Sequence, residues 1–242
     1  MILEIFALFF SALFGGMAVA TKRNITAKGL GILLTFSGGY LLANTMLHLI
    51  PELFVSNTKP LYIGGYLTIG FFLQRFIETF SAGVEHGHSM APETGHCCTR
   101  SHKTLPFLAS IALHAILDGT ILVHGHSHTN QGLLLGMMLH KFVEAFALMS
   151  VLRNFTSSIG RSFVYLVIFS LASPIGLWLS HHVNDYTADS GGFILLAVVT
   201  GNFLYISATM LFESNPNHSS NKFTVWISLL GAGVAALMEF LL

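Results

Sequence analysis

Eight apolar runs restrict this chain more than any other feature. They fall at about residues 2–20, 29–50, 61–80, 104–123, 131–152, 162–180, 192–212 and 223–241. Each is close to the ~20 residues that an α-helix needs to cross a bilayer. In hydrocarbon a segment must satisfy its own backbone polar groups, which leaves helices and closed barrels. Runs of this length select helices. Only 9% of the 242 residues are charged, against about 25% in a soluble domain. The expected fold is therefore all-α, a polytopic membrane bundle of eight transmembrane helices in a single domain over 1–242. Formal net charge is zero, so nucleic acid is excluded as a partner and the lipid bilayer is the expected one. The first run carries Glu4 and no preceding basic residue. It reads as a retained helix although Ala18-Val19-Ala20 resembles a cleavage site.

Two of the runs contain matching polar pairs, His114 with Asp118 and His140 with Glu144. Residues four apart lie on one helix face, a turn above each other. Each pair is followed by a small residue, Gly119 or Ala145. A carboxylate in hydrocarbon costs at least about 2.5–3.5 kcal/mol, and such groups face a bundle interior or a water-filled path. One pair alone reads equally as a helix–helix hydrogen bond. Two pairs on consecutive spans supply two imidazoles and two carboxylates, whose charge a divalent cation cancels. His114 lies ten residues into its span and His140 nine into the next. Both therefore fall roughly 15 Å deep, near mid-membrane, where two half-sites can close on one ion.

Basic residues set the expected orientation. Lys22, Arg23, Lys28, Arg100, Lys103, Arg153, Arg161 and Lys222 lie on one side, against Lys59 on the other. That puts both termini outside and the 81–103 loop in the cytoplasm, with plasma or bacterial inner membrane the expected location. This flexible His-rich loop holds His86, His88, His96, Cys97, Cys98 and His102, a composition suited to loose metal binding. The adjacent cysteines predict no disulfide framework. His124, His126 and His128 lie in an outside loop that reads equally as a gatherer of metal ions near the pore mouth or as an ordinary polar turn. At the outer end of the second run Pro51 can end the helix, and His48 and Glu52 can face an aqueous entrance or meet lipid headgroups. Arg75 and Glu78 read as a snorkelling ion pair. Pro174 should kink the sixth run, opening a carbonyl for Ser173 to satisfy or exploit. Glu213 closes the seventh run on the inner side, and Glu239 lies near the end of the eighth.

An internal symmetry is also visible. The fourth and fifth runs carry one motif on opposed helices. Gly38-Gly39-Tyr40-Leu41 in the second run parallels Gly201-Asn202-Phe203-Leu204 in the seventh. Three, two and three spans would form a 3+2+3 inverted repeat.

Taken together, His-Ala-Ile-Leu-Asp-Gly (114–119), His-Lys-Phe-Val-Glu (140–144), His-Leu-Ile-Pro-Glu (48–52), Ser-Pro-Ile-Gly (173–176) and the His-rich loop resemble the ZIP (Zrt-, Irt-like protein) family of divalent metal transporters. The resemblance implies import of zinc, often iron or manganese, toward the cytoplasm. It implies a primary site at His114, Asp118, His140 and Glu144, a commonly dimeric bundle, and spans 1, 4, 5 and 6 moving against the others. Some members hold a second adjacent ion, whose ligand positions here are Ala115, Lys141 and Ser173. Alanine cannot ligate and a lysine ammonium repels a cation, so one ion is expected, with Lys141 as a tethered substitute for the second.

An imidazole–carboxylate set suits Zn2+, Fe2+, Mn2+ or Cd2+ and excludes a copper(I) site. These ions are cargo, and no cofactor is expected. His48, Glu52, Lys141, Ser173 and Glu213 are candidate gate or relay residues. No phosphate-binding G-x-x-x-x-G-K-[ST] occurs, so alternating access by gradient-driven or facilitated movement is expected, not enzymatic turnover. Two other classes remain open: an intramembrane zinc-dependent hydrolase, which needs an open fourth ligand position, and a metal exporter.

Overall fold

A computed structural model describes residues 2–21, 27–55, 58–81, 104–123, 130–155, 158–186, 190–213 and 222–241. Every regular element within them is helical: α1 (Ile2–Thr21), α2 (Ala27–Asn44), α3 (Ile50–Val55), α4 (Pro60–Ser81), α5 (Thr104–Gly119), α6 (Asn130–Phe155), α7 (Ile159–Tyr186), α8 (Ser190–Glu213) and α9 (Lys222–Leu241). A π-helical turn, Thr45–Leu49, joins α2 to α3, and a 3-10 turn, Thr120–Val123, extends α5. With α2 and α3 continuous, the elements make eight rods.

Among the described residues, six rods are long and apolar enough to cross a membrane, namely α1, α2–α3, α6, α7, α8 and α9. Two of the eight predicted spans fall short on that measure. The apolar part of α5, Phe107–Leu122, belongs to the shorter class. α4 is 22 residues long but includes Gln74, Arg75 and Glu78. Its charge is handled locally: Arg75 Nη1 donates to Glu78 Oε2 at 3.3 Å, and the Tyr205 hydroxyl donates to the same carboxylate. This agrees with the ion-pair reading of Arg75 and Glu78.

Pro51 does not end its helix. The ring lacks an N–H and would clash with the carbonyl four residues back. The chain widens instead: Ile50 N–H bonds to Thr45 O, five residues back, and the helix runs on to Val55. Pro174 does lie inside α7. The Ser173 hydroxyl, however, donates to Ala115 O at 2.9 Å, so it stitches α7 to α5 and leaves its own helix's freed carbonyl alone.

The rods touch where glycine removes the side chain, as expected for helices that gain little from hydrophobic exclusion in lipid. A Cβ on Gly119 would collide with Ser173 O, and one on Gly176 with Ile116 O, which zips α5 to α7. Gly70 and Gly201 press on Val198 O and Leu67 O between α4 and α8. Gly39 and Gly231 press on Ser228 O and Phe36 O between α2 and α9. Gly15 lies against Phe142 O, joining α1 to α6. Gly176→Leu should therefore leave no monodisperse protein on size-exclusion chromatography. Gly64→Leu should elute as wild type, because nothing lies within 4 Å of that position.

α6 forms the centre of the bundle, with 72% of its span buried against 11% for α9. Its enclosure keeps His140, Lys141 and Glu144 of α6 away from lipid, where charged groups are costly. Tyr40 closes the bundle by donating to Gly132 O at 2.8 Å.

Candidate metal centre

α5 and α6 bring the two sequence pairs face to face at the centre of the bundle. His114 and Asp118 are fully buried, as is His140, and Glu144 is 1% exposed. His114 Nε2 lies 3.1 Å from Asp118 Oδ2 and 3.5 Å from Glu144 Oε1. His140 Nε2 lies 3.5 Å from Asp118 Oδ2 and 3.7 Å from Glu144 Oε2. One donor atom from each of the four residues lies within 4.8 Å of all the others. A tetrahedral ion bound at about 2.1 Å spaces its donors by roughly 3.4 Å, the range of those four separations.

The polar accounting points the same way. His114 Nε2, both ring nitrogens of His140 and Glu144 Oε1 are buried without a hydrogen-bond partner among the described residues. An orphaned buried polar atom costs roughly 1–3 kcal/mol, more when charged. Several of them converging on one volume form a donor set that a cation completes.

Lys141 follows His140 on α6 and is 1% exposed. Its Nζ donates to Asp118 Oδ2 and Glu144 Oε2 at 2.6 Å each and lies 5.7 Å from the Phe169 ring centroid. The charge sum of zero expected with a divalent ion left this ammonium out. Two carboxylates and one ammonium carry −1, and a divalent ion brings the cluster to +1. Ser173 and Ala115, the other two positions assigned to a second ion, are hydrogen-bonded to each other.

His48 and Glu52 form a separate cluster, joined by a residue to which the sequence assigned no role. His48 Nδ1 bonds to Glu239 Oε1 at 3.1 Å, and its Nε2 lies 4.0 Å from Glu52 Oε2. Glu213 is the last residue of α8, and its side chain is outside the described set. His86, His88, His96, Cys97, Cys98 and His102 also lie outside the described residues, as do His124, His126 and His128.

Sequence reasoning missed two residues at the centre. Gln74 of α4 meets His114, and Asn202 of α8 meets Asp118. The available signal was an amide in the interior of an apolar span, a costly placement that demands a partner.

Apolar helices around a buried histidine–carboxylate cluster define the class: a membrane protein whose interior carries four side chains that could hold a metal ion. The chain belongs to the ZIP family: the family described as ZIP zinc transporter matches residues 81–239. It is 24% identical to the zinc transporter YKE4 of Saccharomyces cerevisiae, over 90% of this chain and 73% of the yeast protein. It is 26% identical to protein zntC of Dictyostelium discoideum, over 54% of this chain and 35% of that one. The chain is thus an integral membrane metal-ion transporter and not an enzyme.

Proposed function

We propose that this protein imports zinc toward the cytoplasm by alternating access, through one mid-membrane site made of His114, Asp118, His140 and Glu144. The observation that carries the reading is the convergence of unpartnered ring nitrogens and a carboxylate oxygen on one buried volume. Two imidazoles favour zinc, and iron(II), manganese(II) and cadmium fit the same donors less selectively. The yeast relative's name, a zinc transporter, supports the same metal.

The eight-span, 3+2+3 inverted repeat draws support from the glycine contacts. Gly39 presses on α9 three residues after Phe36 receives Gly231. Gly201 presses on α4 three residues after Val198 receives Gly70. Gly15 lies against Phe142 and Gly176 against Ile116, each two residues beyond a site histidine. Such reciprocity pairs Gly201 with Gly39, one residue from the register that the motif comparison suggested. Outside termini rest on the distribution of basic residues, whereas inward import and a homodimer rest on the family resemblance. His48, Glu52 and Glu239 would form the outer approach. Glu213 and the 86–102 loop would receive the ion inside.

Proteoliposomes loaded with a fluorescent chelator should take up zinc and cadmium faster than iron(II) and manganese(II). Deleting 86–102 should alter the rate without abolishing it. Zinc flux only in the opposite direction would identify an exporter, and no flux of any of the four ions would remove the reading.

A further inference from the structure

Gln74 and Asn202 reach the site from outside the two helices that build it. Gln74 is fully buried on α4, and its Oε1 accepts from His114 Nδ1–H at 3.2 Å. Asn202 is 2% exposed on α8, and its Nδ2–H donates to Asp118 Oδ1 at 3.2 Å. The helices carrying these amides are zipped together by Gly70 and Gly201. The ligands they touch sit on α5, which is zipped to α7 by Gly119 and Gly176. Among the described residues, the ties between those two glycine-packed pairs include the two amide contacts and Ser110 Oγ donating to Ile77 O at 2.8 Å.

We infer that Gln74 and Asn202 are positioning residues, which make the grip on a divalent cation depend on how the α4–α8 pair sits against the α5–α7 pair. The inference rests on the metal-site reading above. A neutral imidazole carries one N–H. Holding it on Nδ1, against Gln74, leaves the Nε2 lone pair aimed at the shared volume. Without that acceptor the proton moves to Nε2, which then donates to Asp118 Oδ2 only 3.1 Å away. One ligand nitrogen and one ligand oxygen are lost together. Asn202 occupies Oδ1 of Asp118 and so turns Oδ2 toward the cation. A slide of one helix pair past the other breaks both amide contacts at once, so the site loosens as it moves. His140 has no equivalent amide: its Nδ1 lacks a partner among the described residues. The dependence on helix position therefore resides in the α5 ligands.

The test uses the full chain, with zinc and cadmium binding measured in detergent and uptake measured in liposomes. Gln74→Met keeps the length and removes the acceptor, whereas Gln74→Glu keeps the acceptor. Gln74→Met should weaken binding and raise the uptake KM by about tenfold, with the maximal rate not reduced. Its His114 15N shifts should report a proton on Nε2, and Gln74→Glu should restore both affinity and the Nδ1–H form. Asn202→Leu should weaken binding in the same direction. Wild-type affinity in Gln74→Met overturns the inference, and so does a Gln74→Glu as weak as Gln74→Met. Wild-type affinity in Asn202→Leu removes Asn202 from it. His114→Ala separates the two readings: if it too binds normally, the metal site itself is misassigned.

Discussion

Glu144→Ala is expected to lose equilibrium zinc binding and zinc uptake by at least about 100-fold. A structural four-ligand zinc site in a peptide is worth roughly 10–16 kcal/mol, or about 3 kcal/mol per ligand, more than a factor of 100. Glu144 is worse to lose than an average ligand, because its two oxygens face both imidazoles, at 3.5 and 3.7 Å. It also shares Lys141 with Asp118. Once Glu144 is gone, the ammonium and one carboxylate form a closed pair, and the cluster's charge rises from −1 to zero before any ion arrives. A divalent cation then meets two imidazoles and a carboxylate already neutralised. Glu144→Gln isolates charge from shape and should be almost as severe. Isothermal titration with zinc, alongside chelator-reported uptake, measures both quantities. Binding within about threefold of wild type in either variant would show that the ion is held elsewhere.

The two site pairs were legible because their information is local. An i,i+4 spacing fixes which helix face a side chain shares, whatever the helix packs against. Equal depth on consecutive spans then placed the pairs opposite each other, as they stand in the structure. The positions of Gln74, Asn202 and Glu239 were not legible in this way. Each acts on a residue far along the chain, 40 positions away for Gln74 and His114, and no spacing rule says which spans become neighbours. Pro51 failed for a different reason. Proline does not always stop a helix, as Pro174 inside α7 shows, and before Pro51 the turn widens to π geometry and absorbs the ring. The α4 segment reads as a span by its length, yet Gln74, Arg75 and Glu78 lower its apolarity. Its polar groups are satisfied by other helices and by one another, which composition cannot register.

Lys141→Met should lower the melting temperature of the metal-free protein by roughly 10 °C and make its stability strongly zinc-dependent. Removing one partner of a buried ion pair costs about 3–5 kcal/mol, because the other charge is left uncompensated, and a chain of this size shifts by about 2–4 °C per kcal/mol. Here two carboxylates lose their shared donor, each from a 2.6 Å contact. Zinc replaces that compensation, so added ion should recover the loss as RT ln(1 + [Zn]/Kd). Affinity should rise in the same variant, since the ammonium no longer occupies Asp118 Oδ2 and Glu144 Oε2. Transport should slow, because an ion held by two uncompensated carboxylates leaves reluctantly. Lys141→Asp tests the other half of the lysine's role. A third carboxylate in place of a tethered cation should raise the number of ions bound from one to two, read by metal analysis of purified protein. One ion and unchanged transport in Lys141→Asp, or a Lys141→Met protein as stable without zinc as wild type, would reduce Lys141 to a packing residue beside the site.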